Sequence, residues 1–102
     1  MPNTIHIVAK LTAKPGQKEQ VRRQALSMVA PSRAEPGCLA YQVYVDPHDD
    51  ASWVVIEEWA DQAAFEAHLS SPHLMAAQAA AETLLACPPQ LTMLTQAENI
   101  PR

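Results

Sequence analysis

The sequence predicts an α+β domain with the element order β-α-β-β-α-β, the split-βαβ or ferredoxin-like arrangement. Three observations carry this. Four segments alternate apolar and polar residues with the period of two that marks a strand with one buried face. Two longer segments repeat their apolar residues at spacings of three and four, the mark of an amphipathic helix. Prolines, glycines and short polar clusters separate the two kinds of segment.

The first strand is read from Thr4 to Thr12, with Ile5, Ile7, Ala9 and Leu11 on one side. Lys14-Pro15-Gly16 breaks it, and from Gln17 the residues Val21, Ala25, Met28 and Val29 trace a helical stripe that Pro31 is expected to limit. Glu35-Pro36-Gly37 reads as a turn. Cys38 to Val45 follows as strand two, with Leu39, Tyr41, Val43 and Val45 expected on one face. Asp46-Pro47-His48-Asp49-Asp50 is loop-like, and Ser52 to Trp59 returns as an antiparallel strand in which Trp53, Val55, Glu57 and Trp59 share a face.

Asp61 is suited to cap a short helix carrying Phe65, His68 and Leu69 on one side. Ser70-Ser71-Pro72 ends that helix and starts another, with Ser71 as the cap and Pro72 at the first helical position, where its missing N–H costs nothing. The alanine-rich continuation is expected to reach about Ala86. Pro88-Pro89 closes it, and Gln90 to Ala97 alternates as a fourth strand. In this fold the helices cover one face of the sheet. Both faces of the strands carry apolar or aromatic residues, so a second copy of the sheet is the natural cover and a homodimer is expected.

The chain has 102 residues, which suits a single domain over 1–102 with one hydrophobic core. Its apolar share is 48% and its charged share 18%, ordinary values for a globular protein. A formal charge of −4 gives no electrostatic reason to bind a polyphosphate, and nucleic acid is set aside. No apolar run approaches the ~20 residues of a spanning helix and no leader pattern opens the chain, so a cytoplasmic location without membrane contact is expected. Cys38 and Cys87 stand far apart and suggest neither a zinc site nor a disulfide.

Pro36-Gly37-Cys38-Leu39-Ala40-Tyr41, then Glu57-Glu58-Trp59, then Phe65 through Leu74 with its His68-x4-His73 spacing, resemble the successive signatures of the antibiotic-biosynthesis-monooxygenase family. The likeness is nearest to its quinol-monooxygenase-like branch. The resemblance implies a dimeric α+β barrel with a pocket in each protomer between sheet and helices. It also implies oxidation of a small hydroquinone or polyphenol by O2, with no metal, flavin or nicotinamide. Other branches isomerise a phosphorylated signalling-sugar derivative or degrade haem, so an isomerase and a non-catalytic aromatic-ligand-binding dimer are the alternatives. Haem-degrading relatives carry an axial histidine where this chain aligns Gln78, which disfavours that branch.

Chemistry of this kind needs a base, because a phenolate or hydroquinone anion yields an electron to O2 more readily than the neutral form. His68 and His73 are the candidates, since imidazole titrates near ~6.5. Glu57, among Val55 and Trp59, is expected to orient or charge a pocket histidine, although a structural hydrogen-bonding role is as consistent with the pattern. Tyr41, Trp59 and Phe65 are the candidates for walls around a planar substrate, with core packing as the alternative. His6 is a weaker candidate. Two histidines five positions apart with no evident third ligand fall short of a metal set, although Glu57 could complete one. An isomerase acting on a phosphorylated sugar would need a basic anchor; of the chain's cations, Lys10, Lys14 and Arg33 are the nearest candidates, and none is convincingly placed.

Overall fold

The computed structural model describes residues 3–99. Four strands form one antiparallel sheet in the order β2-β3-β1-β4. They are β1 (Ile5–Thr12), β2 (Cys38–Asp46), β3 (Asp49–Trp59) and β4 (Gln90–Leu94). Four helices cover one face: α1 (Lys18–Ser27), α2 (Val29–Arg33), α3 (Gln62–Leu69) and α4 (Pro72–Leu84). A short 3-10 turn, Ala97–Asn99, follows β4. This is the ferredoxin-like α+β arrangement, with each helical connection built as two pieces. Among the described residues no helix is long and apolar enough to cross a membrane.

The period-two reading sets which side chains meet. Ile7 pairs with Glu57 and Ala9 with Val55, while Glu57 and Val55 in turn pair with Tyr41 and Val43 of β2. These residues point toward the helices; Ile7, Ala9, Tyr41 and Val55 join Ile5, Met28, Trp59 and Phe65 in the main core, with Val43 packed against it. A smaller cluster of Ala13, Val21, Trp53 and Leu85 closes one end.

Local details differ from the sequence expectation for physical reasons. Pro31 does not stop the helical path: the chain breaks at Met28 and Pro31 falls in the first turn of α2, where a missing N–H leaves no bond unmade. Leu39 does not join Tyr41 and Val43, because the register shifts between Cys38 and Ala40 and leaves Leu39 57% exposed. The loop expected at 46–50 shrinks to Pro47-His48, since Asp46 pairs with Asp49 and the Asp46 carboxylate accepts the His48 N–H at 2.8 Å. Strand β4 ends at Leu94 and α4 at Leu84, each short of the expected limit.

Two junctions position the site. At the first, the Cys38 N–H donates to the Glu35 carbonyl at 3.1 Å, and Gly37 at the third position of this turn has φ +86°. Proline second and a positive-φ glycine third are what a type II turn demands. A Cβ on Gly37 would also stand 2.6 Å from the Ala64 Cβ, so this glycine lets the turn lie directly on α3. At the second junction, Ser71 caps α4 through its Oγ, which accepts the Leu74 N–H at 3.2 Å and donates to the His68 carbonyl at 2.7 Å. One hydroxyl thus ties the end of α3 to the start of α4.

Candidate active site

The break between α3 and α4 places His68 in the last turn of one helix and His73 in the first turn of the next. Both reach the same carboxylate. His68 Nδ1 lies 2.6 Å from Glu35 Oε2, and His73 Nε2 lies 2.7 Å from the same oxygen. Side-chain exposure falls from 20% at His73 to 13% at Glu35 and 3% at His68, so the cluster runs from the surface inward.

On its other edge His68 turns Nε2 toward Glu57, whose Oε1 is 3.8 Å away. Glu57 is itself held by the Trp59 indole, which donates Nε1–H to Oε1 at 2.8 Å. The Trp59 and His68 rings lie 4.5 Å apart between centroids at an interplanar angle of 33°, and Phe65 stands 6.5 Å from His68 at 29°. These two rings brace the imidazole from within the core.

A cavity of about 130 Å³ opens between α1, α4 and the sheet. Val21 and Ala25 of α1 and Met28 at its end face Leu74, Ala77 and Ala81 of α4 across it, and Ala9 and Val55 form its sheet-side wall. The alanines on the inner face of α4 leave the space that larger side chains would fill. The polar residues in the wall are Gln24, Tyr41, Glu57, His68 and Gln78. No lysine or arginine is among the described residues that line it.

The expected site residues therefore separate into two layers. Tyr41, Glu57 and His68 line the cavity; Trp59, Phe65 and His73 stand behind that lining and support it. His6 lies on the opposite face of the sheet, paired with Glu58 and Leu94, and takes no part in the cavity wall. Glu35 is the residue that sequence reading left in a turn. Its link to His68 spans 33 positions and has no local pattern. Gln24 also joins the wall unforeseen, from the α1 stripe that includes Val21 and Ala25.

Burial sets the protonation behaviour of the wall. It pushes the Glu57 carboxyl above its ordinary value, a rise opposed by the Trp59 hydrogen bond and the nearby His68 and increased by Glu35. Burial, with the Glu57 charge adding to it, raises the Tyr41 hydroxyl well above the ordinary phenol range, so Tyr41 stays neutral. Burial likewise raises the Cys38 thiol, which is not an activated nucleophile. Glu35, His68 and His73 are the one His/Cys/carboxylate cluster with donor atoms all within 4.8 Å among the described residues. Donors sharing a cation at ~2.1 Å stand roughly 3.0–3.4 Å apart. The contacts of 2.6 and 2.7 Å to one Glu35 oxygen are of hydrogen-bond length, in a donor set that could also hold a metal ion.

The family model for antibiotic biosynthesis monooxygenases matches residues 4–80. The chain belongs to the antibiotic biosynthesis monooxygenase family. The matched span holds the first three strands, Glu35, Glu57, both histidines and most of α4. The crystal structure of PA3566 from Pseudomonas aeruginosa has this family fold with a TM-score of 0.89 and 36% identity, over 94% of this chain and 96% of that one. The Escherichia coli protein named "Probable quinol monooxygenase YgiN" is 32% identical over 80 residues, covering 69% of this chain and 77% of its own length. The uncharacterised Synechocystis protein sll1783 is 31% identical over 95 residues, which cover 93% of this chain and 65% of that protein's length.

The raised Glu57 carboxyl makes a stability prediction. The folded state keeps its proton at pH values where the unfolded chain has lost it, so stability falls as pH rises from the ordinary carboxylate value of 4.5 through the raised folded value. Glu57→Gln keeps an oxygen for the Trp59 N–H and removes the titration. Urea denaturation across that range should show a flatter pH dependence for Glu57→Gln than for wild type, with the variant gaining relative stability toward neutral pH. Equal slopes would mean that Glu57 titrates normally.

Proposed function

We propose that this protein is a cofactor-independent monooxygenase that oxidises a small hydroquinone or polyphenol with O2. The observation that carries this reading is the cavity: apolar walls of a size suited to one aromatic ring, with His68, Glu57 and Tyr41 together in them. A dry apolar cavity of ~150 Å³ accommodates benzene. Among the described residues no lysine or arginine anchors the cavity wall, and Lys10, Lys14 and Arg33 all lie outside its lining. That composition speaks against a phosphorylated sugar as substrate. The kinship with a protein named as a quinol monooxygenase points the same way.

In this mechanism His68 Nε2 removes a phenolic proton. The hydroquinone anion then gives an electron to O2, and the radical pair combines to form a C–O bond at the ring. The protonated His68 returns its proton to the peroxide as the O–O bond breaks. The carbon bearing the peroxide loses its hydrogen as a proton while one oxygen stays on it as a carbonyl. The other oxygen leaves as water with that proton and the one from His68, so hydroquinone and O2 give hydroxyquinone and water, with all four electrons coming from the substrate. Tyr41, held neutral, and Glu57 bound by Trp59 shape and orient the hydroxyl end. The apolar walls exclude competing water. Behind them Trp59, Phe65 and His73 hold the site rather than touch the substrate.

The same reading includes a homodimer. The sheet face away from the helices presents Tyr44 at 48%, Ile56 at 39% and Leu94 at 49% exposure, with Val8 and Val54 in register among them. Such a face is covered by a second copy meeting it isologously.

Oxygen consumption by metal-stripped protein over a panel of hydroquinones, catechols and naphthohydroquinols, with autoxidation subtracted, tests the reaction. Uptake above background is expected, falling ~10²-fold or more in His68→Ala, the scale of general-base catalysis. No uptake with any substrate, alongside saturable quenching of tryptophan fluorescence, would instead identify a binding module. Sedimentation equilibrium should return twice the 11.1 kDa chain mass, and a monomer at micromolar concentration would contradict the dimer.

A further inference from the structure

We propose that Glu35 is the positioning residue for the base: it sets the tautomer of His68, holds its ring and balances the charge the ring acquires, while His73 holds Glu35. This inference rests on the assignment of His68 as the base.

The hydrogen-bond inventory leads to it. An ionised carboxylate offers only lone pairs, so nitrogens 2.6 and 2.7 Å from Glu35 Oε2 must both carry hydrogens. A neutral imidazole has one N–H. With that hydrogen on Nδ1 of His68, the lone pair sits on Nε2, the nitrogen facing Glu57 and the cavity lining. The other tautomer would set two lone pairs against each other at 2.6 Å. It would also present an N–H where a phenolic proton has to be accepted.

Charge makes a second demand, whichever tautomer is present. On accepting a proton, His68 becomes a cation with a side chain only 3% exposed, a state that burial opposes. Glu35 in hydrogen-bond contact offsets that cost. The two carboxylates thereby take different tasks. Glu35 stands behind the ring at contact distance. Glu57 stands in front, 3.8 Å from Nε2 and beyond direct hydrogen bonding, which leaves the Nε2 lone pair for a substrate hydroxyl.

His73 completes the arrangement from the first turn of α4. Its N–H occupies the same Glu35 oxygen, so the carboxylate is held between two helices that Ser71 joins. The Glu35-Pro36-Gly37-Cys38 turn holds the backbone from which it reaches.

Two readouts on the full chain test this. Long-range 1H–15N spectra of histidine-labelled wild type at neutral pH should show His68 protonated on Nδ1 and bare on Nε2, and Glu35→Ala should give a mixture of tautomers. In hydroquinone oxidation, Glu35→Gln should lower kcat ~10²-fold with KM little changed, and Glu35→Asp should recover part of the loss. An Nε2–H tautomer in wild type, or a Glu35→Gln variant with wild-type kcat, would overturn the proposal. So would a divalent cation bound by wild type, lost in Glu35→Ala and required for turnover, because Glu35 would then be a ligand. The tautomer is read without turnover: the Nδ1–H form in a protein that oxidises nothing supports the positioning and overturns the reaction alone.

Discussion

The burial of His68 between two carboxylates is the constraint on which much of the surrounding structure depends. An imidazole sealed at 3% exposure needs polar partners for its ring nitrogens and packing for its faces. Glu35 supplies one such partner, and Trp59 and Phe65 supply ring faces. Glu57 accepts the Trp59 N–H and stands 3.8 Å from Nε2. Each of these groups is set by backbone geometry some distance away: a glycine turn resting on α3, a helix break capped by Ser71, and the pairing of β3 with β2.

The same geometry explains why an apolar cavity lies beside a charged cluster. The α1 and α4 stripes meet the sheet with small or flexible residues, among them Ala25, Met28, Ala77 and Ala81, and so leave space where bulkier residues would have closed the core. Charge is confined to one end of that space. A ring entering the cavity would meet mostly hydrocarbon and, at one end, His68 and Glu57 with Glu35 behind the imidazole. Family membership accounts for the fold and for the broad chemistry. The side chains in the wall narrow the substrate class.

The fold was legible in the sequence because it rests on periodicity. Ile5, Ile7 and Ala9 in one strand, Val55, Glu57 and Trp59 in another, and Ser71-Pro72 at the helix start all stand where their patterns put them. What escaped was non-periodic. One extra residue near Leu39 turns that side chain outward, and nothing local announces a bulge. Pro31 was read as a stop because helix breaks and helix starts both use proline. Within the site, His68, Glu57 and Tyr41 could be picked out as polar or aromatic residues on apolar faces. Trp59 and Phe65 could not be told from wall residues, since ring faces pack against a core and a ligand alike. Glu35 was hidden because its partners come from helices 33 and 38 positions along the chain.

The central claim is that a substrate hydroxyl meets Nε2 of His68 inside this cavity. A crystal structure of the protein soaked anaerobically with hydroquinone tests it most directly. The account predicts the ring between α1 and α4 with one oxygen about 2.6–3.2 Å from Nε2. A ring bound outside the cavity, or one whose hydroxyls meet only Gln24 and Gln78, would contradict it.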